Sequence, residues 1–380
     1  MPAFSLGYRP ALDGLRAVSI LAVLTRHSGW LSGGYLGVDV FFALSGFLIT
    51  ALLMEEYGRT GTITLRLFYA RRALRLLPAL AVFVVICEIV LLTTAPPGLG
   101  PLVLQEGAAV MFYVANWVLI SGLPMTIFSH AWSLAIEEQF YLVWPVILIA
   151  LLRGIQHRLA LTAVVIAAAG GACIWRIALT QSGTPLLRLY MGLDTHADSL
   201  LLGCAAGLLL SSGRLSMIDG LVRNAVRVGG VIGAVALALL FIKATFPGDY
   251  VLHQASMFTA LAAVLVIVDL CLPGSWIVHG LERSPLVGIG RISYAIYLWH
   301  FPVFFLFGAL SINDEVHPLT NVVVAWASTF AMALASYVVV ERPALRLKRR
   351  YAAESATDDG ATVMHARVST RLRHTAPPGV

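Results

Sequence analysis

Two side chains near the start of the chain have the chemistry to move a proton and to bind an anion. Arg16 and His27 lie in the apolar segment LDGLRAVSILAVLTRH, with ten residues between them. On a helix, eleven steps of about 100° return to within roughly 20° of the same face, about 16 Å along the axis. A neutral imidazole accepts a proton near neutral pH, and a guanidinium holds a phosphate or a carboxylate. The alternative is a cytoplasmic anchor at Arg16 and an interfacial residue at His27.

A carboxylate stands in the next apolar segment, GYLGVDVFFALSGFLIT. Asp39 needs a partner there, because an ionisable group at membrane depth is costly when it is unpaired. Only a short Gly-rich turn separates it from His27. We therefore predict that Asp39 pairs with His27, orients the ring and makes it more basic. A purely structural ion pair between two helices is the other interpretation.

A cluster of arginines follows in FYARRALRLLPAL, at the cytoplasmic mouth of the third apolar segment. Arg72 and Arg75 lie one helical turn apart, with Arg71 beside them. Guanidinium groups this close repel each other, so an anion should stabilise them. That anion is either a lipid headgroup or a phosphorylated cosubstrate that arrives from the cytosol.

Two adjacent carboxylates, Glu137 and Glu138, belong to the segment HAWSLAIEEQFYLVWP. Neighbouring residues on a helix point about 100° apart, so we expect at most one of the two to face an interior site. Further along, Asp194, His196 and Asp198 open another apolar segment, where acidic groups also complement a helix N-terminus. His300 stands in an aromatic surround and is typical of a packed interior histidine.

The composition indicates the environment in which these residues work. The chain has 380 residues, of which 59% are hydrophobic and 12% are charged, whereas about a quarter of the residues in a soluble domain are charged. The formal net charge of +6 comes from short clusters between apolar stretches, a pattern of cytoplasmic membrane loops that argues against a nucleic-acid partner. The cysteines have no metal-ligand spacing, and we predict no metal.

We predict an all-α fold, a polytopic membrane bundle of about ten transmembrane helices with both termini cytoplasmic. The apolar segments lie near residues 14–30, 35–54, 76–95, 132–152, 159–179, 195–211, 228–246, 251–272, 291–310 and 320–340. A further stretch, 102–121, is interrupted by polar residues, and the basic loops all fall inside only if it does not cross. We assign residues 1–345 to the membrane domain and 346–380 to a basic, disordered cytoplasmic tail.

Five segments together resemble the acyltransferase-3 family of integral membrane O-acyltransferases. They are LDGLRAVSILAVLTRH, GYLGVDVFFALSGFLIT, FYARRALRLLPAL, HAWSLAIEEQFYLVWP and SYAIYLWHFP, in the family's order. The resemblance extends to about residue 345 and is to the stand-alone members, which carry no esterase-like domain. It implies transfer of an acyl group, usually acetyl from acetyl-CoA, to a hydroxyl of a carbohydrate or glycosylated product, in a bacterial-type plasma membrane.

The resemblance also implies roles for particular residues. Arg16, Arg72 and Arg75 match the family's arginine signatures, and we predict that they bind acetyl-CoA. His27 matches the family histidine and is the predicted base. The predicted catalytic acids are Asp39, which matches the second motif, and Glu137, which matches the Ser-Leu-x-x-Glu-Glu segment; either would orient His27. A covalent acyl-histidine intermediate remains a variant.

Two other classes of function compete with the enzyme. A transporter or flippase of glycans or lipid-linked sugars would use the same buried charges as a substrate path. The absence of an internal sequence repeat weakens that alternative, since many transporters consist of two related halves. A membrane scaffold without turnover does not account for so many costly polar residues at depth. The expected partners are membrane lipid, acyl-CoA and a carbohydrate acceptor.

Overall fold

Ten long or apolar helices form the bundle in this computed structural model, which describes residues 5–94, 98–213, 220–252, 254–312, 315 and 317–347. They are α1 (Pro10–His27), α2 (Gly37–Thr60), α3 (Leu65–Thr94), α4 (Trp132–Gly154), α5 (Arg158–Gln181), α6 (Leu193–Ser211), α7 (Gly220–Lys243), α8 (Ala255–Cys271), α9 (Ser293–Leu306) and α10 (Leu319–Ser336). Each overlaps one of the predicted segments. Within the described ranges there is no strand, as the sequence predicts.

Shorter helices connect the long ones. They are Ser32–Leu36, Gly100–Met111, Ala115–Ile120, Ser129–Ala131, Leu186–Met191, Gly248–Leu252, Val278–Leu281, Ser284–Arg291 and a π-helical turn at Tyr337–Glu341. The stretch 102–121 is therefore not one helix, because the chain bends at Tyr113, whose φ is 55°. Neither piece is long enough to cross a bilayer core of about 30 Å.

The distribution of apolar and polar side chains is that of an integral membrane protein. Seven helical segments are long and apolar enough to cross a membrane: Ser32–Thr60, Leu65–Thr94, Ser129–Gly154, Arg158–Gln181, Leu186–Ser211, Gly220–Lys243 and Leu319–Leu347. Large apolar side chains such as Ile174 and Val339 point outward, 68% and 71% exposed, whereas charged residues such as Asp39 and Arg176 are buried. This arrangement suits lipid outside and paired polar groups inside.

The orientation and the exact number of crossings stay predictions. α8 and α9 are apolar but shorter than the seven segments above, and α1 carries Asp13, Arg16 and Arg26 within its 18 residues. From residue 348 onward, the predicted cytoplasmic tail lies outside the described residues. The predicted boundary between the membrane domain, residues 1–345, and the tail, residues 346–380, likewise stays a prediction.

Small residues allow α2 and α6 to pack with their backbones in contact. A Cβ added to Gly46 would clash with the carbonyl oxygen of Leu200, and a Cβ added to Gly203 would clash with that of Ala43. Helices in membranes use such small-residue stripes to approach closely, because no hydrophobic effect drives them together. The α2–α6 pair is thus a rigid support for every functional residue that α2 carries.

Gly46→Ala should destabilise the protein, whereas Gly170→Ala should not. The added methyl at position 46 forces α2 and α6 apart, and overpacking of this kind costs about 1–3 kcal/mol. A methyl at Gly170, inside α5, meets no atom within 4 Å, and alanine is the better helix former. Thermal unfolding of the two variants in detergent would test this difference. Equal melting temperatures would contradict the close contact.

Candidate active site

A charged cavity of about 450 Å³ opens among α2, α3, α4 and α9. It extends along α2 from Val38 to Arg59, about 30 Å of helix. Its charged lining residues are Arg16, Arg59, Arg71, Arg72, Arg75, Glu55, Glu56, Glu137 and Glu138. A cavity with this many charges inside an apolar bundle is typical of a site for a polar, charged ligand.

Arg72 lines the cavity and is held on two sides by protein groups, Glu138 and Tyr141. Its Nε lies 2.9 Å from Oε2 and 3.1 Å from Oε1 of Glu138, and its Nη2 also donates to that carboxylate. On its other side, the guanidinium carbon lies 3.2 Å from the centroid of the Tyr141 ring. A forked pair stacked on an aromatic ring is the strongest geometry available to arginine. Arg72 therefore links α3 to α4.

Arg75, one turn further along α3, is in the opposite situation. Its side chain is exposed where it lines the cavity, and it makes no hydrogen bond or ion pair with any residue that the structure describes. The Nε of Arg71 is buried and likewise has no hydrogen-bond partner in that part of the chain. Arg16 only donates from Nε to Ser293 Oγ, at 3.2 Å. These guanidinium groups leave donors for an anion.

The helical position of the arginine cluster corrects one expectation. The sequence placed the arginines before the third helix, but α3 begins at Leu65, so they lie in its second and third turns. A helix positions their side chains more firmly than a loop would. Three residues rotate a helix by about 300°, so the two side chains diverge by about 60°. Both line the cavity, but only Arg72 also binds Glu138 of α4.

Both adjacent glutamates line the cavity, so the expectation that at most one faces an interior site is wrong. Glu138 binds Arg72 of α3, while Glu137 Oε1 accepts hydrogen bonds from the hydroxyls of Ser45 on α2 and Tyr141. The reason is that α4 lies between α2 and α3. Side chains that diverge by about 100° thus both find polar neighbours in the same cavity.

His27 pairs with another histidine and not with a carboxylate. Its Nδ1 lies 3.1 Å from Nε2 of His300 on α9, and the two ring planes differ by 21°. Neither Asp39 nor Glu137 contacts His27, so the prediction that one of them orients its ring is wrong. The expectation that His300 merely packs in the interior is incomplete for the same reason.

Several contacts hold His27 at the end of α1. Its carbonyl accepts a hydrogen bond of 2.7 Å from the Ser311 amide, and the neighbouring Ser28 hydroxyl accepts one of 2.8 Å from Trp326 Nε1. A third histidine, His130, lies close by, with its ring centroid 5.3 Å from that of His300. His27 itself is only partly buried, so a ligand can approach it.

Tyr297 stands between the cavity and His27. It lines the cavity, its hydroxyl donates to the carbonyl of His130 at 2.6 Å, and its ring centroid lies 5.4 Å from that of His300. Tyr297 is thus in contact both with the cavity and with the histidines, which are not part of the cavity lining. Sequence reasoning missed Tyr297, although it lies one turn before His300 in the same motif.

Asp39 belongs to a separate buried network. Its Oδ1 accepts hydrogen bonds from Ser256 of α8, at 2.6 Å, and from Ser199 of α6, at 3.3 Å, and lies 3.7 Å from His196 Nε2. The spacing of residues along α2 explains why Asp39 faces α6 and not His27. Asp39, Ala43 and Gly46 share one helical face, and this is the face that packs against α6, away from α9 and His27.

Asp39→Ala should lower stability rather than the rate per folded molecule. The change removes the carboxylate that accepts from Ser199 and Ser256, so at least one of these buried hydroxyls, which also lie 3.2 Å from each other, loses its acceptor, and such a loss costs about 1–3 kcal/mol. Asp39→Asn keeps the acceptor and is the matched control. Folded yield, melting temperature and turnover should be compared for both variants. A folded Asp39→Ala protein without turnover would restore Asp39 to the reaction.

A buried ion pair that sequence reasoning missed extends this network. Arg176 of α5 is 1% exposed and donates to Asp198 Oδ2 at 2.7 Å. Asp194 lies in the first turn of α6, where its charge complements the helix N-terminus as the sequence predicts, but it makes no side-chain cap and pairs with Arg188. The rule that a charge at membrane depth needs a partner would have identified Arg176 in an otherwise apolar helix.

The fold and the cavity are those of a membrane-embedded helical protein with a polar site inside its bundle. Residues 9–341 match the family described as "Acyltransferase domain", and the chain belongs to this family. Within the described residues, no group of three or more His, Cys, Asp or Glu side chains is arranged to hold a metal ion. The expectation of a metal-free reaction stays a prediction.

Curated relatives agree with this family. The chain is 33% identical over 355 residues to "Peptidoglycan O-acetyltransferase OatA" of Listeria monocytogenes, a match that covers 90% of this chain and 56% of the relative. It is 33% identical over 353 residues to "Putative peptidoglycan O-acetyltransferase YrhL" of Bacillus subtilis, with 88% and 55% covered. The chain thus spans little more than half the length of these relatives. No solved structure matches it significantly.

Proposed function

We propose that this protein is a multi-pass O-acyltransferase of a bacterial plasma membrane, which transfers acetyl from acetyl-CoA to a carbohydrate hydroxyl. The observation that carries the proposal is the cavity that joins unpaired arginines to the histidine cluster through Tyr297. Acetyl-CoA has anionic phosphates at one end and a thioester at the end of a long, thin arm. An elongated cavity that has arginines in its lining and a base next to Tyr297 suits both ends of this cosubstrate: the arginines suit the phosphates, and the base suits the thioester.

The arginines take different parts in this proposal. Arg75, Arg71 and Arg16 supply the guanidinium donors that bind the phosphates and guide the arm, since among the described residues only Arg16 Nε is used, in its hydrogen bond to Ser293. Arg72 holds Glu138 and so fixes the wall of the cavity. This division replaces the equal roles that the sequence assigned to Arg72 and Arg75.

His27 acts as the general base. Its imidazole removes the proton of the acceptor hydroxyl, the oxygen bonds to the thioester carbonyl carbon, and the carbon–sulfur bond breaks. The proton then passes from His27 to the thiolate that leaves. Because the chain resembles proteins named as peptidoglycan O-acetyltransferases, we propose a glycan of the cell envelope as the first acceptor class to test.

The test uses the full-length protein in proteoliposomes with acetyl-labelled acetyl-CoA and peptidoglycan fragments or other envelope sugars. We expect ester-linked label on the sugar and release of one CoA per ester, both dependent on the protein. Liposomes without protein are the control. Movement of a sugar across the membrane without any consumption of CoA would instead identify a transporter and overturn the proposal.

A further inference from the structure

We infer that His300 is the positioning residue that selects the reactive tautomer of His27, an inference that rests on the function proposed above. The evidence is a chain of hydrogen bonds that has only one consistent set of donors when both imidazoles are neutral. His300 Nδ1 lies 2.6 Å from the carbonyl oxygen of Tyr297, one turn earlier on α9. A carbonyl oxygen can only accept, so this nitrogen carries the proton.

The position of the proton on His300 determines the position of the proton on His27, because the second nitrogen of His300 faces His27. A neutral imidazole with its proton on Nδ1 has a lone pair on Nε2. That lone pair faces His27 Nδ1 at a distance of 3.1 Å, and the small angle between the rings, 21°, brings the lone pair and the N–H bond toward one plane. His27 therefore carries its proton on Nδ1, and its own lone pair is on Nε2.

The remaining nitrogen of His27 is the one that suits a base. Nε2 makes no hydrogen bond with the part of the chain that the structure describes, and the side chain is only partly buried. When Nε2 takes a proton from the acceptor hydroxyl, Nδ1–H becomes a stronger donor toward His300. His300 thus serves the role that a carboxylate has in many enzymes, where it fixes the tautomer of a histidine.

The other histidine nearby, His130, cannot replace His300 as the hydrogen-bond partner of His27. His130 lies in the same ring cluster and is 4% exposed, but neither of its ring nitrogens has a hydrogen-bond partner among the described residues. It stacks on Phe301, with 5.0 Å between ring centroids. His130 therefore resembles His300 in burial and surroundings and differs in hydrogen bonding, which makes it a matched control.

The central experiment compares His300→Gln with His300→Asn. A glutamine amide oxygen reaches the place of Nε2 and can accept from His27, whereas an asparagine amide is one methylene shorter and reaches only the Tyr297 carbonyl. We expect kcat to fall about 10- to 100-fold in His300→Asn, as is usual when the partner of a functional histidine is lost. His300→Gln should retain a measurable part of the activity that His300→Asn loses, because its amide oxygen can still accept from His27. KM for acetyl-CoA should stay unchanged in both, because His300 does not line the cavity.

Two further variants separate positioning from packing. His130→Phe keeps a ring of similar shape, and we expect its kcat to remain well above that of His300→Asn. Melting temperatures in detergent show whether each variant is folded. Equal kcat values for His300→Gln and His300→Asn, or an equal loss in His130→Phe and His300→Asn, would overturn the inference.

The outcome for His27 distinguishes this inference from the proposed function. An inactive His27→Ala protein together with a fully active His300→Asn protein would refute only the role of His300. A fully active His27→Ala protein would refute the base itself and, with it, the basis of the His300 inference. Absence of any acetyl transfer by the unaltered protein would refute the proposed function.

Discussion

His27→Ala is expected to abolish acetyl transfer while the protein still accumulates in the membrane. A general base contributes about 10²- to 10⁴-fold to a rate, and among the three clustered histidines 27, 130 and 300 only His27 is partly exposed. The variant loses one hydrogen bond to His300, so its stability should change little. The measurement is turnover of labelled acetyl-CoA in proteoliposomes, normalised to folded protein.

The control for this experiment is His157→Ala, which removes a histidine just before α5. His157 lies outside the cavity lining, so the change should leave turnover near that of the unaltered protein. Normal turnover in His27→Ala would remove His27 from the mechanism. Loss of the protein from the membrane in His27→Ala would instead assign it a structural role.

Arg75→Gln and Arg72→Gln are expected to fail in different ways. Arg75 has no partner in the described protein, so its loss should weaken acetyl-CoA binding without unfolding the bundle. A hydrogen bond to a charged group contributes about 1.5–3 kcal/mol, which corresponds to a roughly 10- to 100-fold rise in KM. Arg72→Gln leaves Glu138, 12% exposed, without its cation, and breaking a buried pair costs about 3–5 kcal/mol.

The matched control is Arg66→Gln, which removes one positive charge from the same helix at an exposed position outside the cavity. KM for acetyl-CoA and melting temperature should be measured for all three variants. Arg66→Gln should change neither quantity appreciably. An equal rise in KM for Arg72→Gln and Arg75→Gln, with both proteins stable, would show that the two arginines share one role.

The sequence was sufficient to predict the all-helical membrane fold, because a bilayer imposes a length and an apolar composition on every crossing segment. Each of the ten predicted segments contains a helix, and the interrupted stretch 102–121 divides into two short ones. Helix starts were harder to predict. α3 begins about ten residues before its apolar stretch, since arginines that face a polar cavity do not end a helix.

The sequence also identified the residues that are unusual at membrane depth, because the cost of an unpaired charge is local and can be deduced from its surroundings. Arg16, His27, Asp39, Arg72, Arg75 and Glu137 all proved to be engaged in polar contacts or to line the cavity. The same rule applied more strictly would have added Arg176. The sequence could not show which residue each of these side chains pairs with.

Partners were decided by tertiary structure alone. Asp39 and His27 are close in sequence, but α2 turns the face with Asp39 toward α6, while α1 presents His27 to α9, more than 270 residues away along the chain. Arg72 and Arg75 cannot be told apart in the sequence motif. In the structure, α4 is placed so that Glu138 pairs with Arg72, whereas Arg75 has no partner among the described residues. A side chain's partner depends on which helix its face meets, and that follows from the packing of the whole bundle.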